Sequence, residues 1–271
     1  MVNHIGYHIL TASCVRTHGK KDLEVAEYPF EVLYPKEVLI RVKRALLTPL
    51  DLHIINGEIV PKTSSPYILS SIALGVIVDK GVNVQNSIMG KYVAIGPECE
   101  NKLFAYDVKG LARTYVAVSI NCVETLFNKR LESALLITPL LNKVINVLRT
   151  IERGATIAFD SCLFNIISQA LNILNIQYSA IGEHTLEVIC SSKEDNTKIN
   201  ISFDYREDII TDNAWNISCL RNTSFNYNVI KYLDKIRLHE ILTEISVDDI
   251  DNLGLEFLVE EMRRKLVVVT F

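Results

Sequence analysis

The chain has 271 residues, 49% of them hydrophobic and 22% charged, with a formal net charge of −4. That length buries one large core or two modest ones, and two domains is the expected count. The acidic balance offers no general attraction to nucleic acid or anionic membrane, and no apolar run reaches bilayer length, so neither is an expected partner. The N-terminus, Met1 to His8, lacks the charged and apolar regions of a signal peptide, which predicts cytoplasmic residence.

Six cysteines, Cys14, Cys99, Cys122, Cys162, Cys190 and Cys219, are scattered singly, with no CxxC and no Cys–His pair at ligand spacing. In a reducing compartment their expected role is that of small buried hydrophobes rather than metal or redox centres.

In chain order, Glu37–Ala45 reads as a strand behind a Pro35-Lys36 turn, and Ile72–Val78 as a continuous apolar strand. Turn signals at Asp79 to Gly81, Asn86-Ser87, Met89-Gly90 and Gly96-Pro97 bound further short strands, Lys91–Ile95 and Thr114–Val118. This spacing predicts a small barrel-like β domain. From Glu132 to Arg149 the apolar residues Leu135, Leu136, Leu140, Leu141, Val144, Ile145 and Leu148 recur at helical intervals, with Pro139 marking a start or a kink. Thr156–Phe159 then reads as a strand, Leu163–Leu174 as a helix and Gln177–Ile181 as a second strand, a βαβ unit that predicts a parallel sheet. Weaker apolar pieces follow at Glu187–Cys190, Ile199–Phe203 and Trp215–Leu220. Val229–Leu242 suits a helix and then a strand, Val247–Glu261 a helix, and Lys265–Phe271 a strand.

The turn between the Thr156 strand and the Leu163 helix contains no glycine and opens with Asp160. This is where a nucleotide-binding fold grips pyrophosphate, using glycines for close backbone approach and the helix N-terminus for N–H donors. No P-loop, Gly-x-Ser-x-Gly or His-Glu-x-x-His motif offers other chemistry.

The segment Lys36 to Glu58, with its Asp51-Leu52-His53 and Gly57-Glu58, resembles the medium-chain dehydrogenase/reductase family of alcohol dehydrogenases and quinone oxidoreductases. Pro66–Gly81, Gly90–Pro97, Gly110–Val118, Leu135–Leu140 and Glu260–Thr270 follow in the family's order. The resemblance implies an α/β fold: a GroES-like β-barrel domain over residues 1–127, completed by 244–271, and a reduced Rossmann-like parallel α/β domain over 128–243. Fold alone does not carry chemistry, so the family's sites are weighed residue by residue.

The positions of the family's catalytic zinc ligands fall on Thr48, Ser71 and Thr138. Hydroxyls are poor zinc ligands, so no catalytic metal is expected, and the lobe that holds a four-cysteine zinc in many members keeps only Cys99. Asp51 and His53 persist. The reading preferred for them is structural, with Asp51 capping a short helix and His53 packed at the domain interface; a proton relay through His53 is the functional counterpart. Thr48 likewise begins a turn or sets a hydroxyl near a cofactor.

The family's three glycines correspond to Asp160, Cys162 and Asn165. A carboxylate at Asp160 repels a diphosphate, and Asp160 or Ser161 can occupy the helix N–H groups in its place. Glu183 is either a remnant of the ribose-binding acid or a solvated loop residue. Relative to the family the chain lacks roughly fifty residues between Asp204 and Val229, which predicts a sheet of four or five strands.

The expectation is a divergent, zinc-free dehydrogenase-like protein without dinucleotide binding or hydride transfer, holding no cofactor. Its role would be binding or structural, as a homo-oligomer or a hetero-oligomer with an active relative. The alternative is a zinc-independent NAD(P)H-dependent oxidoreductase of the quinone oxidoreductase type. A third possibility places another small ligand in the cleft between the domains.

Overall fold

Short apolar runs punctuated by turn residues make the first half of the chain a succession of strands. The computed structural model describes residues 12–19, 21–29, 31–126, 132–150, 156–159, 161–182, 185–188, 198–202, 210–211, 214–218 and 232–271. In order come β1 (Ala12–Thr17), β2 (Glu24–Tyr28), β3 (Glu37–Leu47), helix α1 (Pro49–Ile55), β4 (Tyr67–Ile68), β5 (Ile72–Lys80) and β6 (Tyr92–Ile95). They are followed by β7 (Glu98–Cys99), β8 (Lys102–Leu103), β9 (Tyr115–Ser119) and β10 (Val123–Thr125).

The centre of this half is β3. One edge pairs antiparallel with β5 over most of its length, while the other is shared between two neighbours. Glu37 to Arg41 pair with β9, and Arg44 to Leu47 pair with β18 (Leu266–Thr270) at the far end of the chain. β17 (Leu242–Ser246) runs parallel to β18, extending the sheet to the order β10-β6-β5-β3-β18-β17. The C-terminal segment therefore belongs to the first sheet. Leu46 and Leu47 of β3 and Val267, Val268 and Val269 of β18 are all fully buried, as are the alternating Val38, Ile40 and Val42 earlier in β3. Burial of successive residues means that both faces are covered where β3 and β18 pair.

The second half begins with α2 (Glu132–Leu136) and α3 (Thr138–Thr150). Pro139 is the second residue of α3, where a missing N–H costs no intrahelical bond, so it marks a helix start. β11 (Thr156–Phe159), α4 (Phe164–Ile173), β12 (Tyr178–Gly182), β13 (Thr185–Val188), β14 (Lys198–Ser202), β15 (Ile210–Thr211) and β16 (Ala214–Ser218) follow. α5 (Leu238–Ile241) leads into β17, and α6 (Ile250–Leu253) and α7 (Leu255–Arg264) cross over to β18. Gly254, at φ +78, separates α6 from α7 in a backbone conformation that suits glycine.

The second sheet departs from the expected one. Among the described residues it has six strands, not four or five, in the order β12-β13-β11-β14-β16-β15. β11, β14 and β16 are parallel, but β13 is antiparallel to β11 and β15 to β16, so the sheet is mixed. The physical reason is a tight hairpin. Gly182 pairs with Thr185, β12 turns back as β13, and β13 takes the place beside β11 that the second strand of a simple βαβ unit would fill. β12 stays parallel to β11, one strand further out. Among the described residues no helix is long and apolar enough to cross a membrane.

Candidate functional site

Helix α1 is built to hold a buried carboxylate. Thr48 is its N-cap, Pro49 its first residue and Asp51 its third. The Thr48 backbone N–H donates to Asp51 Oδ2 at 2.7 Å and the Thr48 hydroxyl donates to the same oxygen at 3.1 Å. The capping-box geometry explains why an acid sits three residues after a threonine. Asp51 Oδ1 accepts from the backbone N–H of Ser70 at 2.7 Å, a link across 19 residues. Ser70 adopts φ +70, a conformation rare for a side-chain-bearing residue, and its hydroxyl donates to Ile72 O at 2.9 Å. Burial pushes the Asp51 carboxyl from 3.8 up to about 6, against the opposing pull of the Thr48 and Ser70 donors.

The residues that the resemblance places at the zinc positions are buried as well, Thr48 and Thr138 at 1% exposure and Ser71 fully. Thr48 Oγ1 donates to Asp51, Thr138 Oγ1 donates to Leu135 O, and Ser71 Oγ has no hydrogen-bond partner among the described residues. Gly96 fixes the backbone beside Ser71: it has φ +94, and a Cβ there would lie 1.9 Å from Ser71 O. Three neutral hydroxyls, two of them already donating, do not fit a catalytic zinc, which binds thiolate, imidazole or carboxylate. His53 is half-buried: its side chain is 39% exposed and pairs with Glu58 through Nδ1.

The second expected site is the start of α4. Ser161–Leu163 forms a single 3₁₀ turn ahead of the helix. Cys162 is 2% exposed and Leu163 fully buried, and α7 packs against this turn. Asn165 Nδ2 donates to Glu240 O at 2.8 Å. One turn on, Gln169 Oε1 accepts from Arg237 N at 2.8 Å, and Gln169 Nε2 donates to the Glu240 carboxylate at 3.0 Å. Two of the three glycine positions are thus filled by side chains that bind the helix to the protein. Asp160, Glu183 and the side chain of Ser161 lie outside the described residues.

Two features have no counterpart in the sequence reading. The first is a disulfide between Cys99 and Cys122, which corrects the expectation that all the cysteines stand singly. Cys14 and Cys162 are buried and outside the disulfide, and Cys190 and Cys219 lie outside the described residues. No spacing rule flags a pair separated by 23 residues on a hairpin and a turn. The second is a cavity of about 710 Å³, all of whose lining residues fall between 31 and 119. It lies within the first part of the chain, not in a cleft between two parts. Its walls include Tyr34, Phe104, Val118 and Arg113, the last 3% exposed, paired with Glu31 at 2.8 Å and stacked 5.2 Å from the Tyr28 ring centre.

Comparison with known proteins agrees with this architecture. Residues 34–126 match the alcohol dehydrogenase GroES-like domain. No curated protein matches the chain. Among solved structures, 2R,3R-butanediol dehydrogenase from Bacillus subtilis superposes with a TM-score of 0.70 at 15% identity, over 96% of this chain and 99% of that one. A thermostable alcohol dehydrogenase from Pyrobaculum aerophilum gives 0.65 at 16% identity, over 96% and 100%. Acetophenone reductase from Geotrichum candidum, solved in complex with NAD, gives 0.67 at 14% identity, over 96% and 97%. Residues 34–126 therefore carry the alcohol dehydrogenase GroES-like domain, and the chain as a whole has the fold of these dehydrogenase structures.

Proposed function

We propose that this dehydrogenase-fold chain works without catalytic zinc and without a dinucleotide, in a binding or structural role, as the partner of an active relative or of its own copies. The observation that carries the reading is the closed first turn of α4. A pyrophosphate needs backbone N–H groups open to it and no side chain in the way. Here Cys162 and Leu163 are buried, α7 lies against the turn, and Asn165 is bonded to Glu240 O.

Two further observations support it. β13 separates β11 from β12, so the C-terminal end of β12 stands about two strand spacings, roughly 10 Å, from β11, where a Rossmann crevice has one. The hydroxyls of Thr48, Ser71 and Thr138 are neutral and buried, which leaves Asp51 as the carboxylate of the cluster, fully committed to its three donors.

The test is a titration of the purified chain with NADH and with NADPH, followed by nicotinamide fluorescence and by calorimetry. No saturable binding up to about 1 mM is expected, an affinity no tighter than about −4 kcal/mol. A micromolar Kd for either nucleotide would overturn the proposal in favour of a zinc-independent NAD(P)H-dependent oxidoreductase.

A further inference from the structure

The donors at Cys99, Glu100 and Cys122 come from two elements. Cys99 ends β7, Glu100 is in the tight turn to β8, and Cys122 ends the 3₁₀ turn Ile120–Cys122 after β9. The Cα atoms of the two cysteines are 5.1 Å apart. Both sulfurs and a Glu100 carboxylate oxygen lie within 4.8 Å of one another. In the β7–β8 ladder Lys102 pairs directly with Cys99, so the two side chains share a face of the hairpin, and both line the cavity described above.

We infer that the reduced form of this pair, with Glu100, is a binding site for one divalent zinc-class cation, and that disulfide and metal are its two exclusive states. Two thiolates and a carboxylate suit a borderline-soft ion with tetrahedral preference. Zinc–sulfur bonds of about 2.3 Å place tetrahedral donors about 3.8 Å apart, a spacing the group reaches once the reduced sulfurs separate. The three anionic donors carry a charge of about −3, which a divalent ion and the Lys102 ammonium together balance. Cys99 and Cys122 are half-buried and Glu100 is exposed, giving the ion a path from solvent and leaving the fourth position to water. The site differs from a four-cysteine lobe site because Cys122 is drawn from beyond β9.

Exchange between the states balances with a thiol reductant. Two external thiols reduce the Cys99–Cys122 bond and become one disulfide, with two electrons and two protons passing to the cysteines; metal binding then releases the two thiol protons. The oxidised pair has no thiolate to offer and does not hold the ion.

Co2+ alone serves as the probe on the full chain, after reduction with a phosphine that is then removed. One equivalent is expected to bind, with thiolate-to-cobalt charge-transfer bands in the near ultraviolet and tetrahedral visible bands. The oxidised chain is expected to show neither. Cys122→Ser and Cys99→Ser lose the charge-transfer bands of this site, and Glu100→Gln weakens binding on the order of 10-fold. Bands that persist unchanged in both cysteine variants, equal binding by the oxidised chain, or no binding by the reduced chain would each overturn the inference. If a serine variant fails to fold, Glu100→Gln decides: unchanged affinity and spectrum remove the three-donor site.

Discussion

Around Asp51 and around the start of α4 the chain departs from the dehydrogenase pattern in different ways. Near Asp51 the α1 cap, the left-handed Ser70 and the close approach of Gly96 to Ser71 form an ordered framework, and the residues that the resemblance places at the metal positions carry hydroxyls. Near α4 the framework itself differs, because a hairpin places β13 beside β11 and the helix start is bonded to the 237–240 segment. One site is altered by substitution and the other by topology. A substitution reverses with one residue, whereas a strand order does not. The distinction also assigns different energies to the two places. A fully buried carboxylate with three donors has large consequences when removed, whereas neutral amide staples and a hydroxyl without a partner among the described residues have smaller ones.

The largest effect is therefore expected at Asp51. Asp51→Ala leaves the Thr48 N–H, the Thr48 hydroxyl and the Ser70 N–H without their acceptor, and should lower stability by about 3–5 kcal/mol in urea unfolding at pH 5. A loss below about 1 kcal/mol would break the view that this framework is held by its polar cluster. The pH dependence follows from the raised folded-state value of about 6, compared with 3.8. The folded state favours protonated Asp51, so the contribution is full below pH 3.8 and is lost as pH rises through 6, a change of roughly 3 kcal/mol. Asp51→Asn does not titrate, and the stability difference between wild type and this variant should fall by about 2 kcal/mol from pH 4 to pH 7. A constant difference would show that the carboxylate form is already satisfied by its donors.

At α4 the expected effect is intermediate. Gln169→Ala removes the acceptor of Arg237 N and the donor to Glu240, and should cost about 1–2 kcal/mol. Its specific readout is faster amide exchange at Arg237. Unchanged exchange there would show that α5 is positioned without the staple. Smaller still is Ser71→Ala, which deletes a buried hydroxyl that has no partner. Stability should stay the same or rise by up to about 1 kcal/mol. A loss of 2 kcal/mol or more would show that Ser71 serves a bound group after all.

Much of the framework was legible in the sequence because the signals were local. Glu37–Ala45 and Ile72–Val78 are apolar enough to read as strands, Leu135 to Leu148 carries a helical period, and the valines before Phe271 can only be a strand. Thr48-Pro49 followed by Asp51 was readable as a cap for the same reason. The strand order of the second sheet was not. Gly182 and Thr185 mark a hairpin only once their pairing is known, and a βαβ reading of Thr156 to Ile181 says nothing about what enters between its strands. The His53 pairing was not readable, because its partner, Glu58, lies in the loop after the helix. Cys99 and Cys122 were missed because long-range approach leaves no trace in spacing.

An expected absence of any change in NADH binding tests the comparison most directly. If the nucleotide site were lost by side chains alone, Cys162→Gly with Asn165→Gly would reopen the α4 turn and NADH binding would return. The topology argues otherwise. Gly at both positions removes a buried thiol and the bond to Glu240 O, but α7 still packs on Ser161–Leu163 and β13 still separates β11 from β12. The double variant should bind NADH no better than wild type, with only the modest stability loss of a glycine placed in a helix, about 1 kcal/mol at Asn165, and of an emptied buried position at Cys162. A saturable NADH signal below about 100 μM, an affinity tighter than about −5.5 kcal/mol, would mean that the second site, like the first, changed by substitution on a framework still able to hold its ligand.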